Sequence, residues 1–337
     1  MKLQKLLQQN STTLFKKRVK LSLLFFFIPV FLLADAHIFV YHRFEDNRHK
    51  STSTSIKELR KEFNYFKTHG YKVIKLSTLV NALKNGKKIN DNWIVLTIDD
   101  SYKSFYQNGL KIFKEYGYPF SIFVYVKSVE KKYPDFTTWE QLKEIAKYGE
   151  VGFHSYSHPH MTQKSNKYLK QDFTKGLKIF EKHMGFKPKY FAYPYGEFDD
   201  RVKKIAKGFD FDAILNQNIG AINKNSDIYD LDRIALTGRS NLKRDLSYKH
   251  LNLTWIYPKS YPTNGILKQI VAKLDSNKMV DISYYISHHG WHKIKVKNGI
   301  IKIKLHSKLS DGRNRIVIKQ NNKIDTKLLI KDRYERK

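Results

Sequence analysis

Between residues 37 and 215 the chain alternates short apolar runs with helical patterns, and polar residues cluster just after several of the runs. The apolar runs fall at 38–41, 71–74, 93–98, 120–126, 151–153, 190–193 and 211–215. Helical spacing occupies 56–69, 76–84, 109–116, 138–148, 168–184 and 201–207. Run 93–98 reads as a strand buried on both faces of a parallel sheet. Parallel strands need long crossovers, usually a helix, so the alternation predicts βα units, open or closed into a deformed barrel. Gly70, Gly117, Gly149 and Gly185 stop four of the helices, and Ser77 stands near the start of 76–84 as its cap. In such folds function sits at the C-terminal ends of the strands.

Past residue 245 the pattern becomes short alternating segments at 280–286, 293–296, 299–305, 315–319 and 327–331. Asn298-Gly299 and Asp311-Gly312 read as hairpin turns. The reading is a 37–245 α/β domain followed by a small all-β sandwich at 246–337. If the sandwich is independent, a chain ending near residue 245 keeps whatever activity the α/β domain has on a short soluble substrate.

The N-terminus points to export. Lys16, Lys17, Arg18 and Lys20 precede a thirteen-residue apolar run at 21–33, which ends at Leu33-Ala34-Asp35-Ala36. As a helix that run is about 20 Å long, short of the ~30 Å hydrocarbon core. It reads as a signal peptide over 1–36, cleaved after Ala34 or Ala36, with an uncleaved anchor as the alternative. The expected location is the periplasm or cell envelope. The whole chain of 337 residues carries 63 Lys and Arg against 31 Asp and Glu. Without residues 1–36, 57 cations face 30 anions, so a net charge of +27 remains. Lysine is spread along the whole length, which fits a solvated surface and leaves peripheral envelope association open. Export argues against nucleic acid as partner. Cysteine is absent, which excludes disulfides, Cys-ligated zinc and thiol catalysis. The oligomeric state is not legible.

Four polar clusters follow expected strands: His42, Asp99-Asp100, His154 with His158, and Tyr193-Pro194-Tyr195-Gly196. Histidines four apart on a helical turn present both imidazoles to one side. A carboxylate from a neighbouring strand adds a third ligand. His, His and Asp with an open fourth position is a catalytic divalent-metal site. Successive side chains diverge at a strand end, so one of two adjacent carboxylates ligates while the other stays free as a base. Tyr156, Tyr193, Pro194 and Tyr195 are candidates to line a sugar site, since aromatic faces stack on sugar rings. Ser287-His288-His289-Gly290-Trp291-His292 is dense in histidine but reads as an exposed turn.

Thr97-Ile98-Asp99-Asp100, His154-Ser155-Tyr156-Ser157-His158 and Phe191-Ala192-Tyr193-Pro194-Tyr195-Gly196 together resemble the first three motifs of the NodB-homology polysaccharide deacetylases, carbohydrate esterase family 4. The resemblance covers about 37–240. It implies a deformed (β/α) barrel and metal-dependent N-deacetylation of an N-acetylhexosamine polymer. It gives Asp99 the role of catalytic base, and Asp100, His154 and His158 that of metal triad. The cofactor implied is one divalent ion, zinc first, with cobalt, nickel or iron open. No catalytic-acid histidine follows the third motif. Val40-Tyr41-His42-Arg43 at the start is instead similar to the circularly permuted branch, which includes periplasmic poly-N-acetylglucosamine deacetylases, and this makes His42 the acid. The family's third motif begins with an arginine that holds the base. Tyr190 or Phe191 stands there, so Arg233 in Leu231-Asp232-Arg233-Ile234 is the substitute candidate. The alternative function is a catalytically weak carbohydrate-binding protein on the same fold.

Overall fold

The computed structural model describes residues 35–238, 240–276 and 278–331. The basic segment and apolar run of the expected leader lie outside them. Eight strands make one parallel, curled sheet: β1 (His37–Tyr41), β2 (Lys72–Val73), β3 (Trp93–Ile98), β4 (Ser121–Val124), β5 (Glu150–Phe153), β6 (Tyr190–Ala192), β7 (Ala213–Leu215) and β8 (Ile234–Ala235). The spatial order is β8-β1-β3-β4-β5-β6-β7, with β2 against the first residues of β3. Near its far edge the chain turns back. The Leu231 N–H donates to Ile214 O at 3.0 Å, and the Asn216 N–H donates to Leu231 O at 2.9 Å. A few residues later β8 joins β1, so the segment bearing Arg233 spans from β7 to β1.

Register decides which side chains meet. β1 and β3 pair from His37↔Ile94 to Tyr41↔Ile98, so His42 and Asp99 leave adjacent strand ends together. β5 lies between β4 and β6, with Phe153 opposite Val124 on one side and Phe191 on the other. His154 therefore emerges between the β4 and β6 ends.

The helices pack as their spacing predicts. Ile56–Thr68 buries Leu59, Phe63 and Phe66, and its Ser55 cap accepts from the Glu58 N–H. Asn166–Met184 buries Leu169, Phe173, Leu177 and Phe180. Full burial of each such side chain stabilises by about 1.5–3 kcal/mol. At Leu76–Lys84 the cap is not Ser77. The Glu150 carboxylate, from β5, accepts from the N–H groups of Leu76 at 3.0 Å and Ser77 at 3.2 Å. A partner distant in sequence thus replaces a local one.

The C-terminal part is two sheets around a separate core that includes Leu267, Ile270, Ile282, Ile316 and Ile318. Its strands are β9 (Lys249–His250), β10 (Leu253–Tyr257), β11 (Ile266–Leu274), β12 (Val280–Ile286), β13 (Gly290–Val296), β14 (Ile300–Lys308), β15 (Arg313–Gln320) and β16 (Lys323–Ile330). One sheet runs β9-β16-β15-β12-β13 and the other β10-β11-β14. β10 and β11 were not expected from the sequence. Asn298-Gly299 and Asp311-Gly312 prove not to close hairpins. Each joins strands of different sheets, because β14 pairs with β11 rather than with β13 or β15. The hairpins close instead at the Ser287–His289 turn and at Asn321-Asn322. Among the described residues no helix is long and apolar enough to cross a membrane.

Candidate active site

The candidate residues lie where β1, β3, β5, β6 and β7 end, on tightly turned loops. Asp100, Ser101, Ser155, His158 and Tyr195 all have φ between 51° and 70°. For residues with a Cβ this left-handed region costs on the order of 1 kcal/mol or more each. Surrounding bonds hold the turns in place.

His154 and His158 do not sit on a helical turn, as their spacing suggested. They sit on an irregular loop. Asp172, from the helix Asn166–Met184, accepts from the N–H groups of Tyr156 at 2.8 Å and Ser157 at 3.0 Å. Ser155 Oγ accepts from the His158 N–H at 2.8 Å. The helix comes close enough because Gly176 faces the loop: a Cβ there would be 2.7 Å from the Phe153 ring and 3.0 Å from Tyr156 Cβ. Asp172 was not singled out from sequence, since one acidic residue in an amphipathic helix carries no signal of its target.

Asp100 Oδ1, His154 Nε2 and a ring nitrogen of His158 lie within 4.8 Å of one another. His154 Nε2 is 3.4 Å from Asp100 Oδ1, and His158 Nε2 is 3.1 Å from it. His154 Nδ1 faces Ala192 O at 2.7 Å. A carbonyl only accepts, so Nδ1 carries the proton and Nε2 presents a lone pair. Burial, above all, pushes the His154 imidazole down to about 4, so it is neutral at neutral pH. Asp100 Oδ1 and His154 Nε2 are both buried without a hydrogen-bond partner. Two lone pairs face each other at 3.4 Å with no proton between them. That arrangement calls for a cation, and one carboxylate with two imidazoles suits a divalent transition metal. The Ala192 carbonyl behind His154 is the usual support for a ligating imidazole. Burial would raise the Asp100 carboxyl, but His158 and His154 outweigh it and hold the group well below the usual range.

Asp99 faces the other way. Arg233 Nη1 donates to Asp99 Oδ1 at 2.7 Å and Nη2 to Oδ2 at 2.8 Å, and both side chains are fully buried. Burial would raise Asp99, yet Arg233 and then His154 pull it below the usual carboxylate range. Arg233 also donates from Nε to Asn216 O at 2.7 Å and from Nη1 to Thr97 Oγ1 at 3.2 Å. A third donor, Gln217 Nε2, reaches Asp99 Oδ2 at 3.1 Å. Gln217 follows the end of β7, so the strand-end rule that flagged the other residues could have found it.

His42 lies within electrostatic reach of both carboxylates and helps lower each. Its Nδ1 is buried without a hydrogen-bond partner. Of the four expected sugar-site residues, only Tyr195 is exposed, at 36%, its ring edge-on to His158 with 4.4 Å between centroids. Tyr156 is buried, with its hydroxyl donating to Glu130 at 2.8 Å. Tyr193 is fully buried and stacked on Phe198, and Pro194 is buried beside it. These three are packed inward rather than presented to solvent, Tyr156 from the loop after β5 and Tyr193 and Pro194 from the end of β6. The Ser287–His292 stretch forms the β12–β13 turn and start of β13, remote in sequence from this loop cluster.

Residues 86–214 match the family described as polysaccharide deacetylase. Over that stretch the chain is similar to the polysaccharide deacetylases, and by that likeness it is a hydrolase acting on amide bonds. The chain is 26% identical over 232 residues to the poly-beta-1,6-N-acetyl-D-glucosamine N-deacetylase of Staphylococcus aureus, covering 64% of this chain and 77% of that protein. Its fold is shared with the deacetylase PplD of Streptococcus pyogenes in complex with acetate, at TM-score 0.58 and 20% identity, over 63% of this chain and 96% of that one. It is shared also with IcaB from Ammonifex degensii, at TM-score 0.54 and 22% identity, over 60% and 92%.

Proposed function

We propose that this chain removes acetyl groups from an N-acetylhexosamine polymer of the cell envelope, with poly-N-acetylglucosamine the first substrate to test. The observation that carries the reading is the division of two adjacent carboxylates. Asp100 turns into a cluster with His154 and His158, while Asp99 is clamped by Arg233. One holds an ion and the other is kept charged and oriented.

Asp100, His154 and His158 would hold one divalent ion, zinc first. Bound there, such an ion polarises an acetamide carbonyl and makes a nearby water more acidic. Asp99 is the base that takes the water's proton. A carboxylate offers about four lone-pair sites, and the two Arg233 bonds and the Gln217 bond occupy three. The count leaves one for a proton. Arg233 keeps Asp99 ionised, and Gln217 fixes the carboxylate plane. Tyr195 offers its backbone N–H to the charge developing on the carbonyl oxygen. His42 gives a proton to the departing sugar amine from the adjacent strand end.

The position of His42 just past the end of the first strand also supports the circularly permuted arrangement, because no later histidine is needed as acid. Export fits the N-terminal fold. The Asp35 N–H donates to Asp91 Oδ1 at 2.7 Å, and the Ala36 N–H to Ile222 O at 2.8 Å. Cleavage after Ala36 would delete both bonds. Cleavage after Ala34 keeps them and gives Asp91 a new terminal ammonium, so Ala34 is the preferred site. The test is acetate release from a panel of N-acetylated oligosaccharides and polymers, with and without chelator. Release from N-acetylglucosamine polymers that stops on chelation supports the reading. No release from any of them refutes it.

A further inference from the structure

The C-terminal sandwich reaches the catalytic loops at two points. Arg313, the first residue of β15, donates from Nη2 to the carbonyl oxygen of Tyr195. Its Nε is 3.6 Å from Glu197 Oε1. Glu197 is 1% exposed, and its other oxygen is 2.7 Å from His160 Nδ1. The His160 ring lies flat against the Tyr195 ring, 4.2 Å between centroids at 8°, and Tyr195 in turn edges His158. Second, Thr326 Oγ1, on the adjacent strand β16, donates to Ile219 O at 2.9 Å. Ile219 is two residues past Gln217, the donor to Asp99. The two loops also touch each other. Gly196 has φ +67°, and a Cβ on it would be 2.5 Å from Gln217 Cβ and 2.7 Å from its backbone nitrogen.

We propose that Arg313 is a positioning residue for the deacetylation site: from the sandwich it locks the Tyr195–Glu197 turn, and the sandwich is therefore part of the catalytic apparatus. Tyr195 has φ 59°, an unfavourable state for a tyrosine that relaxes unless the turn is held. The turn's ends are tied internally, by the Gly196 N–H to Tyr193 O at 2.8 Å and the Glu197 N–H to Pro194 O at 3.0 Å. The carbonyl of Tyr195 itself is tied by Arg313. That carbonyl shares its peptide plane with the Gly196 N–H, and rotation of the plane changes the ψ of Tyr195 and so disturbs the adjacent Tyr195 N–H, where the oxyanion donor is placed. Glu197 needs Arg313 as well, since a buried carboxylate without a counter-charge is costly. This contradicts the expectation that residues up to about 245 suffice for catalysis.

The inference rests on the proposed deacetylation, and the test separates the two. The full-length chain is compared with Arg313→Ala and Arg313→Lys for acetate release, metal content and amide hydrogen exchange. Arg313→Ala should keep its metal and lower kcat by about 10–100-fold, less than the ~10²–10³ for deleting an oxyanion donor outright because the donor is only displaced. KM should stay within about threefold, because a contact made mainly in the transition state is what weakens. Exchange in peptides covering 193–198 should rise at least tenfold, with the β3 and β5 peptides unchanged. Arg313→Lys, which keeps a donor and a charge, should recover part of kcat. A folded Arg313→Ala with unchanged kcat, or with unchanged exchange at 193–198, overturns the proposal. If the wild type releases no acetate, the deacetylation reading falls, and the exchange result alone decides whether Arg313 pins the turn.

Discussion

Replacing Arg233 by methionine keeps most of its volume and removes the guanidinium from a fully buried pair. Two consequences follow from the geometry. The first is stability. Breaking a buried ion pair on one side costs about 3–5 kcal/mol, because the other charge is left uncompensated. The bonds from Arg233 to Asn216 O and Thr97 Oγ1 go with it. The second is the pH profile. In the wild type burial raises Asp99 but Arg233 and His154 win, so its folded value lies below the ordinary one. The sign is that of a depressed acid: the stabilisation is present above the unfolded pKa and is lost as pH falls through the folded one. Without Arg233, burial becomes the dominant influence and Asp99 moves up. The acid limb of kcat/KM for acetate release should move to higher pH, so that the variant's deficit is larger at pH 5 than at pH 8. Urea unfolding at pH 7 measures the first consequence and initial rates across pH 4–9 the second. An acid limb that coincides with the wild type's would refute the assignment of Arg233 as the group that keeps the base charged.

Asp99→Asn should keep the metal and lose turnover by ~10²–10⁴, the usual worth of a general base. Asp100→Asn should lose metal instead, and metal analysis of both variants distinguishes the roles. His42→Ala should lower kcat on an amide by ~10²–10⁴ with metal content intact, and by far less on an ester whose leaving group departs without a proton. Glu62 is pushed up to about 8, mainly by burial, with the Tyr41 hydroxyl donating to it at 2.7 Å. For this raised acid, stability is fully present below the unfolded value near 4.5 and is lost as pH rises through about 8. Glu62→Gln should flatten that decline, read by urea unfolding at pH 5 and pH 8.

The strands of the catalytic half and the strand-end residues were legible because both signals are local. A run such as 93–98 advertises burial, and the charged pair after it has no packing role to play. The triad was legible for the same reason. What the sequence did not show depends on contacts between distant segments. Glu150 caps a helix more than seventy residues away, and Asp172 shapes the histidine loop from inside an ordinary amphipathic helix. The loop itself was misread as helical, since an i, i+4 spacing is also met by a left-handed turn. The two sandwich turns were misread because Asn-Gly and Asp-Gly specify a tight reversal but not which strand pairs next. Tyr156 and Tyr193 were placed at the sugar site by their position in motifs, and only the packing of β6 and the neighbouring loops shows them facing inward.

The most direct test of the central claim joins metal content to turnover. Purified wild type and the His154→Ala/His158→Ala double variant are analysed for bound divalent metal, then assayed for acetate release from poly-N-acetylglucosamine before and after chelation. The structure predicts about one ion per wild-type chain, as one His-His-Asp site allows, and none in the double variant. Acetate release should stop on chelation and return with added zinc. Undiminished release by the metal-free protein, or full occupancy in the double variant, would contradict the account.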